Sequence, residues 1–226
     1  MKSQPNSVLI LLPVYNESRV ISSVISSIKK EGWNTILVVD DGSTDNTFDV
    51  VLSTGVKILR HSLNRGKGAS IKTGIEAAKK LGYGIVVTLD SDGQHSPKDI
   101  KKMVELIENG YDIVLGIRDF KLQHIPRYKA LANYLGNVLT WLFYGFWVND
   151  SQSGFRAYSK KALSVIEINN DRYEFETEIV REIARNKLKW IETTIEVRYS
   201  DYDQNKKNKQ SLASAITTVI KLILFD

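Results

Sequence analysis

Ile85-Val86-Val87-Thr88-Leu89 runs directly into Asp90-Ser91-Asp92-Gly93-Gln94, and this junction decides how the chain is read. The first five residues are short, apolar and β-branched, with Gly84 before them and Ser91 and Gly93 behind, which marks a buried strand. A buried strand that delivers two carboxylates, one residue apart, to its C-terminal end is a costly arrangement. Like charges that close raise each other's pKa unless a cation sits between them. Hard divalent cations take oxygen ligands, and Mg2+ keeps waters and phosphate oxygens in its shell. The junction therefore reads either as a metal–phosphate site or as a strand end closed by a solvated Asp turn.

Around this junction the first half of the chain alternates strand and helix. Strands are expected at Val8–Leu12, Ile36–Asp40, Val56–Arg60, Ile85–Leu89 and Ile113–Ile117. Val20, Ile21, Val24, Ile25 and Ile28 recur at helical spacing between the first two strands, and Ile71, Ile75, Ala78 and Leu81 do so between the third and fourth. Ser96-Pro97 reads as an N-cap with proline in the first helical position, followed by the apolar face Met103, Val104, Leu106 and Ile107. Such alternation predicts an α/β fold: a Rossmann-like, mostly parallel central sheet with helices on both faces. Ligands of such sheets bind beyond the carboxyl ends of the strands. Four strand ends here carry polar, turn-forming clusters: Pro13–Glu17, Asp40–Asp45, His61–Gly68 and Asp90–Asp92. All four are expected along one edge of the sheet, which makes that edge a site.

The second half differs in kind. Residues 127–148 read as a long helix rich in apolar and aromatic side chains, among them Tyr134, Trp141, Leu142 and Trp147. Gln152–Tyr158 and Lys189–Val197 are expected as strands, and Glu174–Asn186 as a helix with an acidic first turn. Residues 200–210 read as a polar, basic loop, and Ser211–Phe225 as an apolar or amphipathic helix.

Composition narrows the function. With 226 residues, 42% of them hydrophobic, the chain can bury one α/β core. The absence of cysteine excludes disulfides and thiolate metal sites, and His61, His95 and His124 are too scattered for a zinc site. A net charge of +5 suits anionic substrates or an anionic membrane surface but is too weak to argue for nucleic acid. No segment reaches the roughly 20 apolar residues of a membrane-spanning helix.

Six stretches, in order, resemble the family 2 glycosyltransferases of the GT-A fold, and among them the polyprenyl- and dolichyl-phosphate sugar synthases. They are Leu12–Glu17, Val39–Asp45, Asn64–Gly68, Asp90–Gln94, Gly116–Arg118 and Gln152–Arg156. The resemblance implies a catalytic domain over residues 1–210, with residues 211–226 as an apolar helix for membrane or partner contact. It also implies residue roles. Pro13, Tyr15, Asn16 and Glu17 would form the pocket beside the nucleotide, with Ser91 among the donor-binding residues, and Asp41 would contact the base or ribose. Lys67, between two glycines, would approach the diphosphate or base. Asp92 would bind Mg2+ or Mn2+ most directly, Asp90 would touch the ribose or reach the metal through water, and Gln94 would add a neutral oxygen ligand.

On the acceptor side, a lipid phosphate is its own nucleophile and needs cations rather than a base. Arg118 and Arg127 are expected to hold it, with Arg198, Lys207 and Lys209 as secondary cations. Glu174 and Glu176 lie near a position that commonly supplies an acid in the family, and would serve as base for a hydroxyl acceptor. The chain departs from the polyprenyl-phosphate pattern after the last strand, where lysines 206, 207 and 209 stand in place of the expected arginine and Ser-Lys pair. The implied activity is metal-dependent, inverting transfer of mannose or glucose from a GDP- or UDP-sugar to a polyprenyl or dolichyl phosphate. Its alternative is transfer to a saccharide hydroxyl in cell-surface polysaccharide or glycoprotein glycan synthesis. Either is expected of a peripheral enzyme on the cytoplasmic side of a membrane. A dehalogenase-type phosphatase loop would sit on the first strand and not the fourth, and a calcium-binding EF-hand would need its glycine two positions later.

Overall fold

The computed structural model describes residues 7–118, 134, 137–138, 141–142, 145, 147–171 and 175–197. Arg127, Glu174, Arg198 and the segments 200–210 and 211–226, on which several expectations fall, lie outside them.

Seven strands form one sheet in the order β3-β2-β1-β4-β6-β5-β7. They are β1 (Val8–Val14), β2 (Ile36–Asp40), β3 (Lys57–Arg60), β4 (Ile85–Thr88), β5 (Ile113–Arg118), β6 (Arg156–Ser159) and β7 (Trp190–Ile195). β6 runs antiparallel to both β4 and β5, and every other pairing is parallel, so β6 alone is reversed. The helices are α1 (Ile21–Lys30), α2 (Thr47–Ser53), α3 (Lys67–Lys80), α4 (Asp99–Glu108), α5 (Lys160–Val165) and α6 (Phe175–Arg185).

Alternate residues of the strands feed two cores, as the two-residue period of a pleated strand requires. Ile10, Leu12 and Val14 of β1 pack with Ile21, Val24, Ile25 and Ile28 of α1 and with Ile100, Met103 and Val104 of α4. Leu9 and Leu11 pack on the other face with Ile71 and Ile75 of α3, Leu163 of α5 and Ile179 and Ile183 of α6. Strands covered on both faces read as unbroken apolar runs, which is why β1, β2 and β4 were legible as strands.

Strand order also fixes the crevice. The chain steps from β1 outward through β2 and β3, then returns to place β4 on the other side of β1; ligands bind at such a switch point. β1 pairs with β4 only as far as Leu11–Thr88, whereas its pairing with β2 continues to Val14–Asp40. Pro13, with no N–H to donate, sits in that unpaired stretch beside β4, so the sheet opens there.

Two local expectations are corrected, and one helix is present that no apolar period marked. The helix between β2 and β3 had no visible period. α2 has seven residues with only Thr47 and Val51 buried, and it is held by the Asp45 carboxylate, which accepts the Thr47 amide at 3.0 Å and the Ser18 amide at 3.3 Å. Ser96-Pro97 does not begin a helix. It forms a turn, with the Asp99 amide donating to Ser96 O at 3.2 Å, and α4 starts at Asp99. Gln152–Phe155 is not strand. The Arg156 guanidinium draws the carbonyls of Ser153 and Ser151 back to itself at 3.0 and 2.7 Å, which curls the approach, and β6 spans only Arg156–Ser159.

Candidate functional site

The four polar clusters share one edge, and each is fastened to the next. Asn16, in the left-handed region at φ 55°, accepts the Thr44 amide at 2.8 Å, and its own amide donates to Ser43 Oγ at 2.9 Å. The buried Glu17 donates its amide to Thr47 Oγ1 at 2.8 Å. Pro13 is buried, while Tyr15 is half-buried on the same turn. The loop after β1 is thus locked to the loop after β2.

Asp41, 3% exposed, joins the second loop to the third. Its Oδ1 accepts from His61 Nδ1 at 2.7 Å and from the Arg65 amide at 3.1 Å, and its Oδ2 accepts the Gly66 amide at 2.7 Å. Asp40 is wholly buried and serves the turn itself. It accepts the Ser43 amide at 3.0 Å and pairs with Arg60 at 3.2 Å.

Gly66 at φ 116° turns the chain into α3, whose first residue is Lys67. Lys67 Nζ lies 2.6 Å from Asp90 Oδ1 and 2.8 Å from Glu176 Oε1, tying together the third loop, the β4 junction and α6. Burial pushes the Lys67 ammonium down, but the two carboxylates outweigh it and hold its pKa above the ordinary lysine value. Burial likewise pushes Asp90 up, and Lys67, His95 and Arg118 pull it the other way, to about 2. For Glu176 burial prevails over Lys67 and Arg156, and its pKa is raised. The two carboxylates that share Lys67 are thus pushed in opposite directions, Asp90 down and Glu176 up.

The approach to β6 closes this cluster. A Cβ at Gly154 would fall 2.7 Å from Lys67 Nζ and closer still to Asp90 Oδ1, so only glycine fits. Arg156, 2% exposed, spends its donors on the carbonyls of Ser151, Ser153 and Glu176, fixing the start of α6. His95 stacks on Phe155 with ring centroids 5.2 Å apart; burial lowers its pKa against the opposing pull of Asp90. Asp92 accepts the Gln94 amide at 3.0 Å in an Asx turn, which keeps both side chains on the same loop as Asp90 and the buried Ser91.

Of the expected site residues, Asp41, Lys67, Asp90, Ser91, Asp92, Gln94 and Glu176 come together at this edge with Pro13–Glu17. Arg118 stands apart in its engagement. Its Nε and Nη2 grip the buried Asp150 at 2.6 and 2.7 Å, and its amide adds a third bond at 3.1 Å. Sequence reasoning missed Asp150, His61 and the roles of Gly154 and Arg156. The last two lay in a motif that was noticed but given no task, whereas Asp150 carried no local signal.

Among the described residues, no three His, Cys, Asp or Glu side chains converge on one metal position. Two carboxylates on one turn, one of them firmly ionised, still fit Mg2+ or Mn2+. Mg2+ is usually held by one or two carboxylates, with substrate phosphates and waters completing its shell.

A Rossmann-like sheet with one reversed strand and a carboxylate-bearing loop beside its switch point is a GT-A-like arrangement. The Glycosyl transferase family 2 model matches residues 9–166, and the chain belongs to that family. It is 33% identical to the UDP-N-acetylglucosamine–dolichyl-phosphate N-acetylglucosaminyltransferase of Methanococcus voltae, over 86% of this chain and 87% of that one. It is 28% identical to the dolichol-phosphate mannosyltransferase of Pyrococcus furiosus, over 84% of this chain and 57% of that one. In fold it is similar to glucosyl-3-phosphoglycerate synthase from Mycobacterium tuberculosis, solved with Mn2+, UDP-glucose and phosphoglyceric acid. That match has a TM-score of 0.72 at 21% identity, covering 97% of this chain and 79% of that one.

Proposed function

We propose that this glycosyltransferase moves a hexose or N-acetylhexosamine from a UDP- or GDP-sugar to a polyprenyl phosphate, with inversion and with Mg2+ or Mn2+. The observation that carries the acceptor reading is the state of Glu176. Its side chain is 5% exposed and tied to Lys67, so it is poorly placed to take a proton from an incoming hydroxyl. A phosphate monoester needs no such base, since its second pKa is about 6 and it is mostly dianionic at neutral pH. The relatives named for dolichyl phosphate support the same acceptor.

In this reading Tyr15, Asn16, Glu17 and Asp41 line the nucleoside end of the crevice, and Lys67 faces the diphosphate. Asp90 and Asp92, with Gln94, would hold the cation, which neutralises charge on the departing nucleoside diphosphate when bound. An acceptor phosphate oxygen attacks the anomeric carbon, and the bond from that carbon to the diphosphate oxygen breaks. Lys67 is released toward the diphosphate as the negative charge grows there. Arg118, anchored on Asp150, and Arg127 are assigned to the acceptor phosphate.

Peripheral attachment to the cytoplasmic face of a membrane suits a lipid acceptor. Tyr134, Trp141, Leu142 and Trp147 are 55%, 51%, 65% and 40% exposed, and amphipathic aromatic rings favour the water–lipid interface. No helix among the described residues is long and apolar enough to cross a membrane.

The test is transfer of radiolabel from GDP-mannose, UDP-glucose or UDP-N-acetylglucosamine to a short polyprenyl phosphate in detergent, with Mg2+ or Mn2+. Label reaching the organic phase from one donor, and lost in Asp92→Ala, is the expected result. Donor binding without transfer would move the acceptor to a hydroxyl, and the raised pKa of Glu176 would then make it the base to mutate.

A further inference from the structure

Asp41 was expected to read the base or ribose, yet its carboxylate is already turned on its own protein. Three donors occupy it: His61 Nδ1, the Arg65 amide and the Gly66 amide. A carboxylate offers about four lone-pair sites, so little is left for a ligand. Because the ionised carboxylate has no hydrogen to give, His61 Nδ1 carries the proton, and His61 Nε2 faces Thr73 Oγ1 of α3 at 3.0 Å. The imidazole is clamped at both nitrogens and mostly buried, with a side-chain exposure of 9%.

Between His61 and the Lys67 ion pairs, the loop stretch Ser62–Arg65 has few other anchors among the described residues. Ser62, Leu63, Asn64 and Arg65 are exposed, Leu63 at 63%, so apolar burial does not hold it. Arg65 pairs with Asp171 at 3.6 Å, but both side chains are nearly half exposed and such pairs contribute little. The loop backbone instead rests on the Asp41-Gly42 turn. Gly42 has φ +72°, and a Cβ there would lie 2.7 Å from the Leu63 carbonyl carbon. One residue beyond the two seated amides stands Lys67.

We infer that His61 is a positioning residue: clamped between Asp41 and Thr73, it holds the Asp41 carboxylate as the seat of Arg65 and Gly66, and thereby sets where Lys67 meets the diphosphate of the donor. The inference rests on the proposed assignment of Lys67 to that diphosphate. It adds loop placement to the tasks of Asp41 and gives its histidine partner a function.

Two readouts separate the parts. Amide hydrogen exchange follows the seat directly. His61→Ala should speed exchange across residues 64–67 while α1 and α4 keep their protection, and His61→Asn, whose side-chain amide can replace Nδ1–H, should restore it. Calorimetry with Mn2+ follows the consequence, using UDP and UMP, or GDP and GMP if the protein prefers guanine. His61→Ala should weaken the diphosphate about tenfold, in line with one hydrogen bond to a charged group, and leave the monophosphate unchanged. In a Lys67→Met background the same substitution should have no further effect, because the two act through one contact. Unchanged exchange at residues 64–67 overturns the seat. Equal loss of mono- and diphosphate, or full additivity with Lys67→Met, overturns the link to Lys67. Diphosphate affinity untouched by Lys67→Met alone removes the assignment of Lys67, while exchange still decides the seat. If His61→Ala does not fold, Thr73→Val, which frees the other end of the imidazole, carries the same comparison.

Discussion

The two sides of the sheet hold their charges by different means. On the β1–β4 side, apart from the Asp40–Arg60 and Lys67–Asp90 pairs, carboxylates and amides accept mostly from loop backbone N–H groups: Asn16 from Thr44, Asp41 from Arg65 and Gly66, Asp45 from Thr47 and Ser18. On the β5–β7 side, buried charges face other charges. Arg118 grips Asp150, and the fully buried Glu178 takes Arg181 at 3.0 Å together with the amides of Asn169 and Asn170. Turn chemistry spreads its cost over many modest bonds, and losing one loosens a loop. A buried ion pair is all or nothing, because removing one partner strands the other. In the proposed reading the donor side can therefore adapt around a ligand, while the far side acts as a rigid wall.

The largest expected effect follows from the cation-binding role proposed for Asp92. Asp92→Ala should lower transfer by at least about 10³-fold, near 4 kcal/mol of barrier, with the melting temperature unchanged. Chelation of the divalent cation should match it. A loss of both activity and melting temperature would show that Asp92 belongs to the rigid wall instead. Next comes the wall itself. Arg118→Met leaves the buried Asp150 without its cation and should cost about 3–5 kcal/mol in denaturant unfolding. The double variant with Asp150→Asn should recover most of it, and failure to recover would break the contrast drawn here.

Gly154→Ala tests the seam between the two sides. Its Cβ would intrude on the Lys67–Asp90 pair, and overpacking of that kind costs about 1–3 kcal/mol. Activity should fall further than stability does, measured as kcat against the shift in unfolding midpoint.

The smallest effect concerns Asp112, which accepts the Lys189 amide and Lys161 Nζ, both at 2.8 Å, and so links β5 to β7. Burial raises its pKa, but Lys161 and the Lys189 amide prevail and it ends below the ordinary aspartate value. A carboxyl depressed on folding stabilises the protein above its unfolded pKa and loses that contribution as pH falls through the folded one. Asp112→Asn should therefore cost about 1 kcal/mol at neutral pH and nothing once the pH has fallen below the lowered folded pKa of Asp112, flattening the acid limb of the stability profile.

This contrast also explains what the sequence disclosed. Parallel strands buried on both faces read as apolar runs, and their turn-rich ends are local in sequence, so β1, β2, β4 and the shared edge at Asp41, Lys67 and Asp90 were all visible. The reversed β6 was not. Its curled approach depends on Arg156 reaching carbonyls that no spacing rule marks, and Gln152–Phe155 looked like strand. Asp150 and Gly154 matter because of what the fold brings beside them, 32 residues away for Arg118 and 87 for Lys67. α2 was too short to show a period. Glu176 was expected near the site as a base for a hydroxyl acceptor, but its burial against a lysine 109 residues earlier could not be foreseen.

The place of β6 has a consequence for how the chain is made. β4 and β5 are not neighbours; both pair with β6, which is synthesised after them. On the ribosome, β4 has no partner on that side, and β5 none on either side, until residue 159 has emerged. The two parts of the sheet are joined by a late strand inserted into its middle, and β7 is added at the edge after it. Such long-range pairing slows folding and leaves strand edges exposed meanwhile. Because the same insertion brings Gly154 against Lys67 and Asp90, the reactive edge is assembled only when the sheet is closed, and a partly synthesised chain carries the motifs without the site.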